Sequence, residues 1–374
     1  MNNKQYYVNL NADALKNYHF YKQEAEAKVH RREYTTSKRY DITPYWFERN
    51  GEIVGDISKE ETDTYYEFDE QGRLLVLACD DLIDGYTYVT YQEHRITTRT
   101  YVDGTLDGVK EYSLQDGRIN RSVEYVSQLE KINVEEYIYE GNTLVQVYQP
   151  EYENDKYYTH LVRTYFEYDE QDVLLRVLDG TKEVIYVEMS ATEAQTLRDT
   201  VKKELISAVK HTMNTLCETP SDRTYCFLSI YLHDEVEGLY SPVLHPGWQA
   251  VREAQVEGKD DRDEYYYYTI WSSGEHPVND QQELENQELI GKLRTFIMYW
   301  RSRGEWFEEG KRLWQEVAYE LNETTDWSDY SRLTDNFVVF VEWEAMDVMN
   351  GDLHMSMPSA HLKFLQAEGL VASL

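Results

Sequence analysis

Tyr65-Tyr66-Glu67-Phe68-Asp69-Glu70-Gln71-Gly72-Arg73-Leu74-Leu75 returns one hundred residues later as Tyr165-Phe166-Glu167-Tyr168-Asp169-Glu170-Gln171-Asp172-Val173-Leu174-Leu175. Each copy alternates aromatic and acidic residues into a polar turn and leaves it on a second apolar run. That is the pattern of strand, tight turn and strand. A hairpin that recurs in a chain implies units stacked side by side, because one hairpin cannot bury its own apolar face.

Weaker copies centre on Trp46-Phe47-Glu48-Arg49-Asn50-Gly51, Thr90-Tyr91-Gln92-Glu93-His94, Ser113-Leu114-Gln115-Asp116-Gly117 and Ile138-Tyr139-Glu140-Gly141-Asn142. Taking Phe47, Phe68, Tyr91, Leu114, Tyr139 and Tyr168 as anchors, the separations are 21, 23, 23, 25 and 29 residues. Asn50-Gly51, Asp116-Gly117 and Gly141-Asn142 supply residues that tolerate positive φ, as hairpin turns require. Residues 41–188 are therefore expected to form an antiparallel meander. One of its faces must be covered, by its own curvature or by the other domain. Residues 1–40 read as a lead-in arm, helical or irregular, with Lys and Arg collecting near residues 28–39.

Residues 190–374 change character. Ser190-Ala191-Thr192-Glu193 is a capping box, and Leu197, Val201, Leu205, Val209, Met213 and Leu216 then fall on one helical face. Strands are expected at Thr224–Leu232, Leu239–His245, Glu264–Trp271 and Asn336–Trp343. Helices are expected at Trp248–Glu257, Glu283–Arg303 and Glu305–Leu321, with a last one opened by Pro358. The fold class is mixed: an N-terminal all-β antiparallel meander of hairpin repeats followed by a C-terminal α+β domain with an antiparallel or mixed sheet.

Composition narrows the function. Of 34 tyrosines, 24 lie in residues 1–189, so the aromatic bias follows the repeats. The net charge of −33 is shared, −16 in residues 1–189 and −17 beyond, while residues 1–39 alone carry +4. Acidity on this scale disfavours nucleic acid and anionic lipid as partners and favours basic proteins; solubility alone is the other reading of it. Cys79, Cys217 and Cys226 are too few and too scattered for a disulfide framework and suit a reducing compartment. Met1–Tyr7 has no apolar core of a signal peptide, and no apolar run is long enough to span a bilayer. A cytoplasmic location is expected.

The repeats resemble the YD or Rhs-type repeats of bacterial toxin shells, and the short hairpin repeats of some antitoxin-like proteins. Tyr66-Glu67-Phe68-Asp69 with Gly72-Arg73-Leu74, and Phe166-Glu167-Tyr168-Asp169, carry the resemblance. Six copies are too few to enclose a cargo. The second half is similar to the small α/β immunity proteins of bacterial polymorphic toxin systems. That likeness rests on the amphipathic helix before Tyr225–Tyr231, the aromatic segment Tyr265–Trp271 between acidic stretches, and the Phe337–Glu342 strand before a Pro-started helix. The resemblances imply a protein that neutralises a cognate toxin by binding it, and the acidity of the chain suits a basic one.

Catalytic signatures are sparse. The chain lacks GxGxxG, P-loop, HExxH, paired CxxC and EF-hand patterns, so no cofactor and no metal are expected. Ser207-Ala208-Val209-Lys210 fits S-x-x-K but sits inside a helix. His233 and His245 each follow a strand, where a general base could stand. They carry the alternative that the chain is a hydrolase. Glu342 and Glu344 read as the solvent face of an edge strand. The expected mode of action is non-catalytic. The partner-binding candidates are Asp260, Asp261, Asp263, Glu264, Tyr265 and Tyr267, where tyrosines anchor and carboxylates steer. A repeat sheet holding an envelope or regulatory partner is the other binding alternative.

Overall fold

The computed structural model describes residues 4–79, 85–126, 131–153, 156–257 and 263–372. The chain divides into two compact units, Met1–Tyr186 and Val187–Leu374.

In the first unit two helices, α1 (Lys4–Lys16) and α2 (Tyr18–Glu26), lead into β1 (Arg31–Thr35), a short α3 (Trp46–Asn50) and β2 (Ile57–Ser58). The meander then runs through β3 (Tyr65–Phe68), β4 (Leu74–Cys79), β5 (Gly85–Gln92), β6 (Arg95–Val102), β7 (Thr105–Gln115), β8 (Arg118–Val126) and β9 (Lys131–Glu140). It ends with β10 (Thr143–Glu153), β11 (Lys156–Tyr168), β12 (Leu174–Asp179) and β13 (Val184–Val187). From β3 to β13 every strand lies beside its sequence neighbour. Only β1, inserted between β3 and β2, breaks the order of the thirteen strands.

The turn of the repeat is a carboxylate latch. Asp69 Oδ1 accepts from the amides of Gln71 and Arg73, both at 2.9 Å. Asp169 Oδ1 does the same with Gln171 and Val173, both at 2.8 Å. A third latch is present at Asp179, whose Oδ1 takes the amides of Thr181 at 2.8 Å and Glu183 at 2.9 Å. In all three the residue three positions on has positive φ: Gly72 at 75°, Asp172 at 59° and Lys182 at 69°. In the first two, the ladder shifts register just before the aspartate. Burial works against ionisation of Asp69. The Arg73 and Gln71 amides and the Arg73 guanidinium outweigh it and hold the carboxyl below its ordinary range.

Both faces of the meander carry apolar clusters that N-terminal segments cover, while Ile138, Leu161 and Leu175 on the later strands stay exposed. Under α1 and α2 lie Leu75, Val76, Tyr88, Tyr101 and Val109, continued by Val123, Tyr125 and Val134 around Tyr7. The Tyr101 hydroxyl donates to the Ala14 carbonyl at 2.8 Å. On the opposite face Tyr66, Phe68, Val89, Ile96 and Tyr112 pack beneath Tyr40 and Ile42, and Phe166, Val147 and Tyr137 beneath Tyr45. Polar pins hold this cover. Tyr66 Oη accepts from the Arg39 amide at 2.7 Å, Thr43 Oγ1 lies 3.0 Å from Tyr112 Oη, and Arg49 pairs with the largely buried Glu135.

The segment Trp46–Gly51, expected as a hairpin copy, is instead α3. Gly51, at φ 64°, ends a helical turn rather than a strand pair, and Arg49 is drawn down to Glu135. A left-handed glycine serves either purpose.

The second unit begins with α4 (Ala191–Glu218), opened by the expected capping box: the Ser190 amide donates to Glu193 Oε2 at 2.8 Å, and Ser190 Oγ accepts from the Glu193 amide. Next come β14 (Tyr225–Leu232), α5 (Val236–Tyr240), β15 (Val243–Trp248), α6 (Gln249–Val256), α7 (Glu264–Trp271), α8 (Gln287–Arg301), α9 (Trp306–Thr324), β16 (Leu333–Trp343) and α10 (Ser359–Ala367). The sheet order is β15-β14-β16, with β15 antiparallel and β16 parallel to the buried central strand β14. Helices α4, α8 and α9 pack together, and α9 packs on β16. The opposite face carries the cluster of Phe227, Phe340, Tyr266, Tyr267, Ile270 and Trp271.

Two expected strands change here. Leu239–His245 divides between α5 and β15, and β15 runs on through Pro246-Gly247. Gly247 is needed there, since a Cβ would fall 2.3 Å from the Phe227 ring. Glu264–Trp271 is the helix α7. Asp263 caps it by accepting from the Tyr266 amide at 2.9 Å, and Tyr266, Tyr267, Ile270 and Trp271 are buried at helical spacing. Cap and packing override the strand preference of consecutive tyrosines.

The outer edge of β16 is closed by side chains. The Asn322 amide group donates to the Val339 carbonyl at 2.7 Å and accepts from the Val339 amide at 2.9 Å, while Ser356 Oγ accepts from the Val341 amide at 3.2 Å. No helix among the described residues is long and apolar enough to cross a membrane.

The latch yields two measurements. Asp69→Ala leaves two turn amides without their acceptor and is expected to cost about 1–3 kcal/mol in urea unfolding. Asp172→Gly relieves a left-handed non-glycine residue while keeping the Asp169 latch, and is expected to gain about 1 kcal/mol.

Candidate functional site

The second unit holds a cleft of about 440 Å3 on the α7 face of its sheet. Alternation puts Phe227, Ser229 and Tyr231 of β14 on this face, with Val243 and His245 of β15 and Phe340 and Glu342 of β16. Ser229 is the register partner of both His245 and Phe340, so three strands deliver their polar residues to one place. The floor is apolar: Trp271 packs against Phe227 and Phe340, with ring centroids 5.9 and 5.3 Å away.

Glu342 lies in the wall, 9% exposed. Its Oε2 accepts from Ser229 Oγ at 2.6 Å, and its two oxygens share the Ser273 amide at 3.1 and 3.2 Å. Burial raises its pKa; the Ser229 and Ser273 donors oppose the rise without cancelling it. Glu342 is thus no part of a solvent face, and Glu344 lies beyond the strand end, exposed at the cleft rim. Sequence alternation reads Val-Glu-Trp-Glu at the close of a strand as wet. The cover supplied by the Trp271–Ser273 segment makes Glu342 dry.

His245 is 2% exposed. Its ring nitrogens hydrogen-bond to the Pro277 carbonyl at 3.2 Å and to Gln281 Nε2 at 3.1 Å, and burial lowers its pKa. His276, also buried, accepts from the Trp248 amide on Nδ1 at 2.9 Å; burial, with the positive fields of His245 and Arg252, lowers its pKa to about 4. With both nitrogens of His245 engaged elsewhere, the Ser229 hydroxyl donates to a carboxyl rather than to an imidazole. The Ser–His pair of a serine hydrolase is not formed here. His233 is exposed at the rim, its ring 4.9 Å from that of Tyr231. Ser207 of the S-x-x-K pattern donates to the Lys203 carbonyl, one turn earlier in α4.

Asp260 and Asp261 lie outside the described residues. Asp263 serves as the α7 cap, and Glu264 follows it in the first helical turn. Tyr265 is 67% exposed, whereas Tyr267 is 7% exposed and belongs to the core. Tyr268, 53% exposed, lines the cleft. The helix therefore sorts the tyrosine run, two outward and two inward. Ser229, His245 and Glu342 come together only through cross-strand register, which local sequence does not reveal.

No protein-family model matches the chain, and no curated protein matches it at a significant level.

The buried groups make acid behaviour testable. A histidine whose folded pKa is depressed stabilises the fold above its unfolded value and loses that contribution as pH falls. The change for His276 from 6.5 to about 4 corresponds to roughly 3 kcal/mol. His276→Asn, which keeps an acceptor for Trp248, is expected to flatten the stability loss between pH 6.5 and 4 in chemical denaturation. Glu342 has the opposite sign: its folded pKa is raised, so ionisation penalises the fold as pH climbs above 4.5. Glu342→Gln is expected to be more stable than wild type at pH 7, the difference vanishing below pH 4.5.

Proposed function

We propose that this chain is a non-catalytic, immunity-type protein that neutralises a cognate basic toxin in the bacterial cytoplasm by binding it. The observation that carries the reading is α7. It presents Tyr265 and Tyr268 outward, beside Glu264, at the mouth of a cleft with Glu342 and Glu344, on a chain of net charge −33. Exposed tyrosines give contact area at low entropic cost. Surrounding carboxylates accelerate encounter with a basic surface and disfavour wrong partners. Occlusion at one-to-one stoichiometry is the mechanism, and the carboxylates stand in for substrate phosphates where the toxin is a nuclease.

A second reading has its own observation. Ile138, Leu161, Val173 and Leu175 are exposed on or beside the later strands of the meander, which suits a scaffold that holds a partner on its repeats. Surface variants separate the two. Tyr265→Ala combined with Tyr268→Ala is expected to weaken toxin binding by about tenfold or more while changing stability by about 0.5 kcal/mol or less. Leu161→Ser combined with Val173→Ser is expected to leave binding unchanged.

The direct test is co-expression with the product of any toxin gene found beside the gene for this chain, followed by calorimetry of the purified pair. Relief of growth arrest and a one-to-one complex are expected, with Kd rising by about tenfold or more between about 50 and about 500 mM salt. A neighbouring toxin that neither binds nor is neutralised overturns the proposal.

A further inference from the structure

The cleft has a chemistry that the α7 surface alone does not explain. Of its described lining residues none is Lys or Arg, while two are glutamates and four are tyrosine or tryptophan. Its volume falls at the lower end of the range for small-ligand sites, about 300–1,000 Å3. Negative charge converges near its mouth: the Tyr231 hydroxyl is made harder to ionise by burial and then by the fields of Glu342, Glu344 and Asp234. Val243, Met346 and Val348 provide apolar wall beside these groups.

We infer that the cleft is a pocket for one arginine side chain of the protein partner, the guanidinium meeting Glu342 and the aromatic rims of Tyr231 and Tyr268. This rests on the binding reading above and names the group that the cleft receives. A carboxylate can accept about four hydrogen bonds, and two donors, Ser229 Oγ and the Ser273 amide, reach Glu342. Acceptor capacity therefore remains for a planar fork of N–H groups. Those two donors also hold the carboxylate in one orientation before the guest arrives, which lowers the ordering cost of binding. Aromatic faces attract a guanidinium through their quadrupole, and the apolar wall suits its methylene stem. A buried carboxyl that is costly to ionise alone gains most from a cation that fits it.

The test uses the full chain and two probes, N-acetylarginine amide and the neutral isostere N-acetylcitrulline amide. They are titrated at pH 7 while tryptophan fluorescence and indole NMR shifts are followed. Saturable binding of the arginine probe is expected, with the citrulline probe weaker by about tenfold or more. Glu342→Gln keeps volume and both hydrogen-bonding neighbours, and is expected to reduce arginine binding by about tenfold. Tyr268→Ala, at an exposed position, is expected to reduce it several-fold without altering the thermal melt. Equal binding of the two probes, unchanged binding by Glu342→Gln, or no saturable response at the highest soluble concentration overturns the pocket. If the probes fail while a toxin still binds, the pocket falls and the binding function stands. If the arginine probe binds with these variant effects and no toxin does, the pocket stands and the immunity reading falls.

Discussion

Water has to be kept from both sides of a thirteen-stranded sheet, and the rest of the first unit follows from how that is achieved. Each strand from β4 to β9 sends tyrosines and aliphatic residues up and down alternately. A meander with only one covered face would leave Tyr66, Phe68 and Ile96, or Tyr88, Tyr101 and Val109, against solvent. The two N-terminal helices close one side of the earlier strands, and the segment around Tyr40, Ile42 and Tyr45 closes the other. Tyrosine suits this sandwich because its hydroxyl reaches the cover while its ring stays in the layer. Tyr66, Tyr101 and Tyr112 each bond to the covering segment. Burial pushes the Tyr101 phenol up to about 12 and Tyr112 well above its ordinary value.

Much of this fold is legible in the residues, and the failures are physical. Hairpins are read correctly wherever alternation meets a turn that demands positive φ, as at Asp116-Gly117 and Gly141-Asn142. Trp46–Gly51 misleads because the same glycine geometry closes a helical turn. The latch at Asp179 escapes notice because Val177 and Leu178 replace the aromatics that mark the other copies, although the turn chemistry is unchanged. Eight residues from Glu264 to Trp271 satisfy strand propensity and helical burial at once, and only the Asp263 cap and the partner cluster decide. The cleft was least visible of all: Ser229 and Glu342 are 113 residues apart in sequence. A parallel pairing joins them that no local pattern announces.

Ionisable groups in the second unit are arranged in opposed pairs of tendencies. Glu342 resists losing its proton, while His245 and His276 resist gaining one. Burial thus favours the neutral form of each of these three side chains, although the chain as a whole is strongly anionic. Most acidic side chains lie at the surface, and the water-poor interior beneath them strengthens whatever single charge enters.

The side-chain seal on β16 has a bearing on how any protein can attach. A sheet margin with free amides and carbonyls invites an incoming strand to extend it, a common route both to peptide recognition and to uncontrolled self-assembly. Asn322 imitates the missing neighbour by filling one donor and one acceptor of Val339, and Ser356 fills the next. Strand addition along that stretch would have to displace both residues. Recruitment at this margin is thereby discouraged, and docking is left to shape and charge instead of backbone pairing.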